Sequence, residues 1–244
     1  MLKRISLAGL LAALSSSALA AEESVGAAIP DPAAHFDRLW NEMLIDITVI
    51  GVAFSLVALY FLVRYRRKHP DEQGRPVTLT ALAAVGWAVI PAFAFMADDF
   101  YLAAKALNLL NDYRSVPEER FEVKLESAMW SWTYTYPNGM QAVNELRVPA
   151  GKPVVLRMTS KDVVHSHFIP DFRVKEDSMP GRVTYLMFYP KKPGEHVATC
   201  AEYCGMLHSK MFGKIIVMPP QEFQAWYDGE ARKLAQEKSQ QKGV

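Results

Sequence analysis

Only two of the 244 residues are cysteine, too few for a fold built on disulfides. Neither sign of charge dominates, since 27 Lys and Arg face 26 Asp and Glu for a formal +1. That balance gives no sign of a nucleic-acid partner or a polybasic membrane-surface patch. Disorder is excluded, because 50% of the residues are hydrophobic and 11% are aromatic. The chain has no internal repeat, and its one biased tract is the Lys/Gln-rich C-terminal end. What it does have is apolar residues gathered into three runs before residue 98.

The first run has the form of a secretion signal. Lys3 and Arg4 precede a mostly apolar stretch from Ile5 to Leu14, and Ala18-Leu19-Ala20 is a small-x-small cleavage site. Residues 1–20 are thus expected to be a cleaved signal peptide, and 21–42 an N-terminal periplasmic segment. Met43 to Val63 carries a single charge, Asp46, and Leu79 to Ala97 carries none. At about 1.5 Å per helical residue, each run spans a hydrocarbon core of ~30 Å. Pro91 in the second run would break a soluble helix but is tolerated in a membrane helix packed against partners. Arg64, Arg66, Arg67, Lys68 and Arg75 lie in the intervening loop 64–78, which places that loop in the cytoplasm. Both ends of the mature chain then lie outside a bacterial inner membrane crossed twice, with Trp40 and Tyr101 as interfacial aromatics.

Beyond a linker at 98–120 the pattern changes to short runs of period two. Val154, Leu156 and Met158 alternate with Val155, Arg157 and Thr159. Pro137-Asn138-Gly139, Pro149-Ala150-Gly151, Pro180-Gly181 and Pro193-Gly194 punctuate the segment as turns. Roughly seven strands in ~100 residues predict an all-β sandwich or small barrel over 121–220. Residues 221–244 read as a polar helix and tail, docked through Phe223, Trp226 and Tyr227. Trp130, Trp132, Tyr134 and Tyr136 share one face of the first aromatic strand, an arrangement that reads as core.

The two cysteines fall in one stretch, Cys200-Ala201-Glu202-Tyr203-Cys204-Gly205-Met206-Leu207-His208-Ser209-Lys210-Met211. Thiolate, imidazole and thioether are soft or borderline donors that favour copper over magnesium or calcium. Three plainer readings compete: a disulfide, ordinary in an exported chain; a zinc site, which leaves the methionine without a role; and a Met211 that is merely core. A second histidine would have to come from His165, His167 or His196, because His35 and His69 lie in the N-terminal tail and the basic loop. His165 and His167 are two residues apart and face the same way on a strand, so spacing does not separate them.

Three segments together are similar to cytochrome c oxidase subunit II. They are Asp162-Val163-Val164-His165-Ser166, then Val174-Lys175 through Met179-Pro180-Gly181-Arg182, then Cys-x-Glu-x-Cys-Gly-x-x-His-x-x-Met. Trp130-Ser131-Trp132-Thr133-Tyr134 resembles the aromatic segment of that family. The likeness extends over both membrane helices and the outer domain, about residues 35 to 228. It implies a two-helix transmembrane hairpin followed by a cupredoxin-like Greek-key β-barrel with a short C-terminal helix. It further implies a dinuclear copper centre, CuA. Cys200 and Cys204 would bridge the metals, His165 and His208 would each give a ring nitrogen, Met211 a weak sulfur and Glu202 its backbone carbonyl. The Glu202 carboxylate would reach a magnesium ion at the boundary with a catalytic haem-copper subunit I. Trp130 would receive electrons from a cytochrome c-type donor. Subunit III and the lipid bilayer complete the implied partners; nucleic acid is not among them.

The chain also departs from the family. His167 stands where an aromatic residue is usual and is read as packing near the site. Ala84 stands where many relatives carry a glutamate that serves proton uptake. Thr135 and Asn138 replace acidic residues that attract a basic donor. Two further functions therefore stay in view: the CuA subunit of a nitric oxide reductase, and a membrane-anchored copper chaperone using Cys-x3-Cys with a distant His. Quinol-oxidising relatives lack the copper ligands.

Overall fold

A computed structural model describes residues 30–74 and 78–242 of the chain. The expected signal peptide and Arg75 lie outside the described residues. The first helix, α1 (Pro32–Arg64), starts at Asp31, whose carboxylate accepts from the Ala34 N–H, with Pro32 in the first turn where its missing N–H costs nothing. The second, α2 (Ala81–Arg114), starts at Thr80, whose hydroxyl accepts from the Ala83 N–H. It continues unbroken through Pro91. Phe54, Leu62, Leu82 and Ile90 are among the many large apolar side chains that these helices leave exposed. Such surface suits contact with lipid, and both helices are long and apolar enough to cross a bilayer.

Most of the stretch expected as a linker is helical. From Phe100 to Leu110 it contains neither Gly nor Pro, so α2 runs on as a stalk to Arg114 and stops at Ser115. The stalk is tied to α1 by a His35–Asp112 contact of 2.8 Å. It is tied to the outer domain by the Tyr113 hydroxyl, which donates to the Arg173 carbonyl. Arg173 in turn pairs with Asp37 at 3.3 Å and lies over the Phe36 ring.

The outer domain is a sandwich of two five-stranded sheets, a flattened version of the expected Greek-key barrel. In chain order its strands are β1 (Phe121–Ala128), β2 (Ser131–Thr135), β3 (Gln141–Val143), β4 (Glu145–Pro149), β5 (Val154–Ser160), β6 (His165–Ile169), β7 (Val174–Ser178), β8 (Thr184–Phe188), β9 (Gly194–Cys200) and β10 (Phe212–Met218). One sheet is ordered β3-β2-β1-β5-β8 and the other β4-β10-β9-β6-β7. Pairing is antiparallel except for β1 with β5 and β4 with β10.

Ten strands form where about seven were expected from turn spacing. The excess comes from short segments such as β3 and β4, which are separated by Asn144 alone. Asn144 takes a left-handed conformation (φ 57°) that asparagine tolerates, and this turns the chain from one sheet to the other. Its side-chain oxygen accepts from the Trp132 N–H at 2.8 Å, and its carbonyl accepts from the Lys214 N–H at 2.8 Å. No Gly or Pro marks this corner in the sequence.

Between the sheets lie Leu125, Trp132, Tyr134, Leu146, Leu156, Met158, Ile215 and Met211, all essentially without solvent contact. Helix α3 (Pro220–Lys242) docks as its aromatics suggested, with Phe223 edge-on to Phe121 at 5.2 Å and Trp226 against Tyr136 at 5.6 Å. It covers the end of β2 remote from Trp130.

Candidate metal centre

Strand β9 ends at Cys200 and β10 begins at Phe212, so Cys200 and the loop after it carry five of the six expected ligands. Its neck is closed by the Cys200 N–H, which donates to the Met211 carbonyl at 3.1 Å. Ala201 N–H donates to the Ser166 carbonyl at 2.9 Å and ties the loop to β6. Gly205 takes φ 112°, a conformation side chains disfavour, and a Cβ there would sit 3.5 Å from the Trp130 ring. A single 3-10 turn, His208–Lys210, then brings Met211 back into the core.

The donor atoms converge. Among the described residues both cysteines are free, with their sulfurs 3.7 Å apart. Cys200 Sγ lies 3.9 Å from His165 Nδ1 and 3.2 Å from the Glu202 carbonyl. Cys204 Sγ lies 3.6 Å from His208 Nδ1 and 3.8 Å from Met211 Sδ. Ligand atoms about 2.0–2.3 Å from a common ion lie roughly 3.5–4 Å from one another, so the spacing suits a metal site. His165, Cys200 and Cys204 form the buried nucleus of that site, with ligand atoms within 4.8 Å of one another. The Glu202 side chain is exposed, and His208 is half-buried.

Local electrostatics favour metal over protons only once metal arrives. Burial, reinforced by hydrogen bonding to Cys200, pushes the Cys204 thiol well above the ordinary thiol range, so this thiol keeps its proton until a metal displaces it. His165 Nε2 donates to Asp162 Oδ1 at 2.8 Å, which leaves Nδ1 facing Cys200 as an acceptor. Burial opposes ionisation of Asp162. The His165 hydrogen bond and the N–H groups of Met129 and Val163 outweigh that and hold its carboxyl at about 2. The orienting role of Asp162 was missed in the sequence, although a carboxylate three residues before a ligand histidine was the available signal.

His167 faces inward like His165 but does not reach the cluster. It shares a 2.9 Å hydrogen bond with the Tyr134 hydroxyl and stands edge-on to Trp132 at 4.8 Å. Burial lowers its pKa to about 3, so it is neutral. Gly213 makes room for this group, since a Cβ there would come within 3.0 Å of the Tyr134 hydroxyl. His196 pairs with Asp171 at 2.7 Å, away from the sulfurs. Trp130 departs from the aromatic face on which alternation put it: Trp132, Tyr134 and Tyr136 are core, whereas Trp130 precedes β2 and is only half-buried. Its indole N–H donates to the Cys204 carbonyl at 3.2 Å.

Fold and site together describe a cupredoxin-like domain behind two apolar helices, with a cluster of soft donors on one end loop that could hold a metal. Residues 138–218 match the family model described as cytochrome C oxidase subunit II, periplasmic domain. Cytochrome c oxidase subunit 2 of Thermostichus vulcanus is 38% identical over 104 residues, 43% of this chain and 32% of that protein. The Synechocystis subunit 2 is 25% identical over 243 residues, 80% of this chain and 72% of that protein. The crystal structure of the periplasmic domain of subunit II of cytochrome oxidase from Bradyrhizobium japonicum is similar at 29% identity and TM-score 0.47, covering 49% of this chain and 99% of that one. The outer domain is thus similar to the periplasmic domain of cytochrome c oxidase subunit II, and two apolar helices long enough to cross a membrane precede it, which supports a membrane protein with a periplasmic domain.

Proposed function

We propose that the chain is the electron-accepting subunit of a respiratory terminal oxidase in a bacterial inner membrane, taking electrons from a cytochrome c-type donor and delivering them to a catalytic haem-copper subunit that reduces oxygen. The observation that carries this reading is that each of two neighbouring sulfurs is approached by one imidazole nitrogen and one weak donor. This donor set suits copper better than zinc, which has no use for a thioether. A dinuclear copper centre bound there supplies one-electron storage with little change in geometry.

The protein's part is to hold that geometry and lead electrons to it. Asp162 fixes His165, and the β9–β10 loop fixes Cys200, Cys204, His208 and Met211 on a rigid sandwich. All these donors come from the chain itself, so the domain transfers electrons and leaves substrate chemistry to subunit I. Trp130, partly exposed and hydrogen-bonded to the Cys204 carbonyl, joins the surface to the cluster. The Glu202 carboxylate, which is exposed, would meet a magnesium ion shared with subunit I, and its carbonyl lies 3.2 Å from Cys200 Sγ. Subunit III completes the complex.

Copper analysis and electron paramagnetic resonance of the purified complex test this reading. Two coppers per chain with the signal of an electron shared between them are expected, and Cys200→Ser or Cys204→Ser should abolish that signal. Met211→Leu should keep copper with an altered potential. A single isolated copper, or zinc in its place, refutes the assignment. The Ala84 departure on α2 favours a second reading, the equivalent subunit of a nitric oxide reductase. Consumption of nitric oxide and not oxygen by the same complex would establish it.

A further inference from the structure

The surface around the metal loop is apolar to a degree that its sequence neighbours did not announce. Met206 is 86% exposed and Tyr203 77%, and Met129, Val163, Val164 and Leu207 are exposed with them. The segments that carry them adjoin and make up the rim of the loop. The Met129 N–H donates to Asp162 at 2.6 Å, beside Val163 and Val164, and the Met129 sulfur approaches Gly205. Tyr203 stands against the His208 ring at 5.7 Å.

Charge near the rim is scarce and already engaged. Asp162 is held by His165 and by two backbone N–H groups, and Lys161 is paired with Glu126 at 2.5 Å. Only Glu202 and Lys210, one of each sign, are exposed in the loop without an ion-pair partner among the described residues. Residues 121–218 contain 12 Lys and Arg against 9 Asp and Glu, a net of +3. A donor surrounded by lysines would meet a net-positive head and a rim with few charges of either sign, which offers it little complementarity.

Resting on the electron-transfer reading above, we infer that the donor is a small one-electron carrier protein whose docking face is apolar and lacks a basic ring. Contact is made by burying the Met206–Tyr203 rim, and charge steering contributes little. One electron leaves the reduced donor and enters the centre beneath Trp130; no atom is transferred. Electrostatic steering decays with added salt, whereas apolar burial does not, and this separates the two modes of docking.

The test uses the purified complex, with copper content and resonance signal measured first. Second-order reduction rates are compared for two soluble c-type cytochromes of similar potential, one strongly basic and one near neutral with an apolar haem edge. Ionic strength runs from about 10 to 300 mM, a range that spans strong to weak screening. The near-neutral donor should be faster and change less than twofold with salt. Met206→Glu and Met206→Lys should each slow it several-fold with the copper signal intact, because either charge spoils an apolar contact. Overturning results are a faster basic donor whose rate falls tenfold or more with salt, or opposite effects of the two Met206 variants, since both indicate steering by charge. Loss of the catalytic subunit from either variant would also overturn it, by making the rim a subunit contact. Absence of copper in the parent complex defeats the electron-transfer reading and this inference together; intact copper with charge-steered docking defeats this inference alone.

Discussion

His165 and His167 sit two residues apart on the inward face of β6, and their neighbours give them different work. His165 meets Asp162 on one side and Cys200 on the other, while His167 meets a phenol and an indole. The Asp162 contact orients the ring and enriches its free nitrogen. Asp162→Asn keeps the shape but loses the charge, and metal affinity should drop about 10- to 100-fold. Competition with a calibrated copper chelator measures this, and an unchanged affinity would make Asp162 a loop-capping residue only. Trp130 poses a different question, because its ring both covers Gly205 and bonds to Cys204. Trp130→Phe retains apolar bulk and removes the indole. Copper content and spectrum should stay normal while reduction by the donor slows severely. Copper loss without a selective kinetic defect would show that the ring only packs the loop.

At the scale of the strand, β2 contributes Trp132 and Tyr134 to the core and the residue after it contributes Tyr136, so two buried phenols stand close together along the chain. Burial raises the pKa of both Tyr134 and Tyr136 far above the ordinary value; for Tyr136, bonding at Arg147 offsets this only in part. The folded domain therefore holds protons that the unfolded chain releases above about pH 10. Protein stability must then fall as pH rises past that value, since the native state binds more protons than the unfolded one. Of the ten tyrosines, at least these two should ionise only as the β-domain unfolds. Simultaneous ultraviolet absorbance and circular dichroism along an alkaline titration check this; full phenolate absorbance before any loss of β signal would contradict it.

For the whole molecule, the stalk decides where the centre stands relative to the bilayer. Helix α2 reaches Arg114 and meets the head at Arg173, which is also held by Asp37 of α1, while Lys191 pairs with Asp31. The head is thus attached to both membrane helices through side chains as well as through the chain. Glu202 lies on the exposed side of the metal loop, where a second subunit has access to it. Glu202→Ala leaves the backbone carbonyl beside Cys200 unchanged. Metal analysis of the intact complex should find copper retained and magnesium or manganese reduced. Equal occupancy of the harder ion would leave Glu202 a solvated surface residue.

How much of this was legible depends on how far along the chain each contact reaches. The two apolar runs declared the membrane helices, because lipid burial is a matter of composition and length alone. Five of the six expected ligands lie within twelve consecutive residues, so their spacing named the soft-donor cluster without any knowledge of the fold. The remaining histidine comes from another strand, and spacing could not choose between His165 and His167. What separates them is the partner each ring meets, since Asp162 holds the His165 ring with its other nitrogen toward Cys200, while the Tyr134 hydroxyl holds His167. The departure of Trp130 from the aromatic face, the sheet change at Asn144 and the apolar rim around Met206 likewise stayed hidden. Each arises where residues distant in sequence meet. Period and composition report local burial, but only the packed tertiary structure sets which distant side chains share a site.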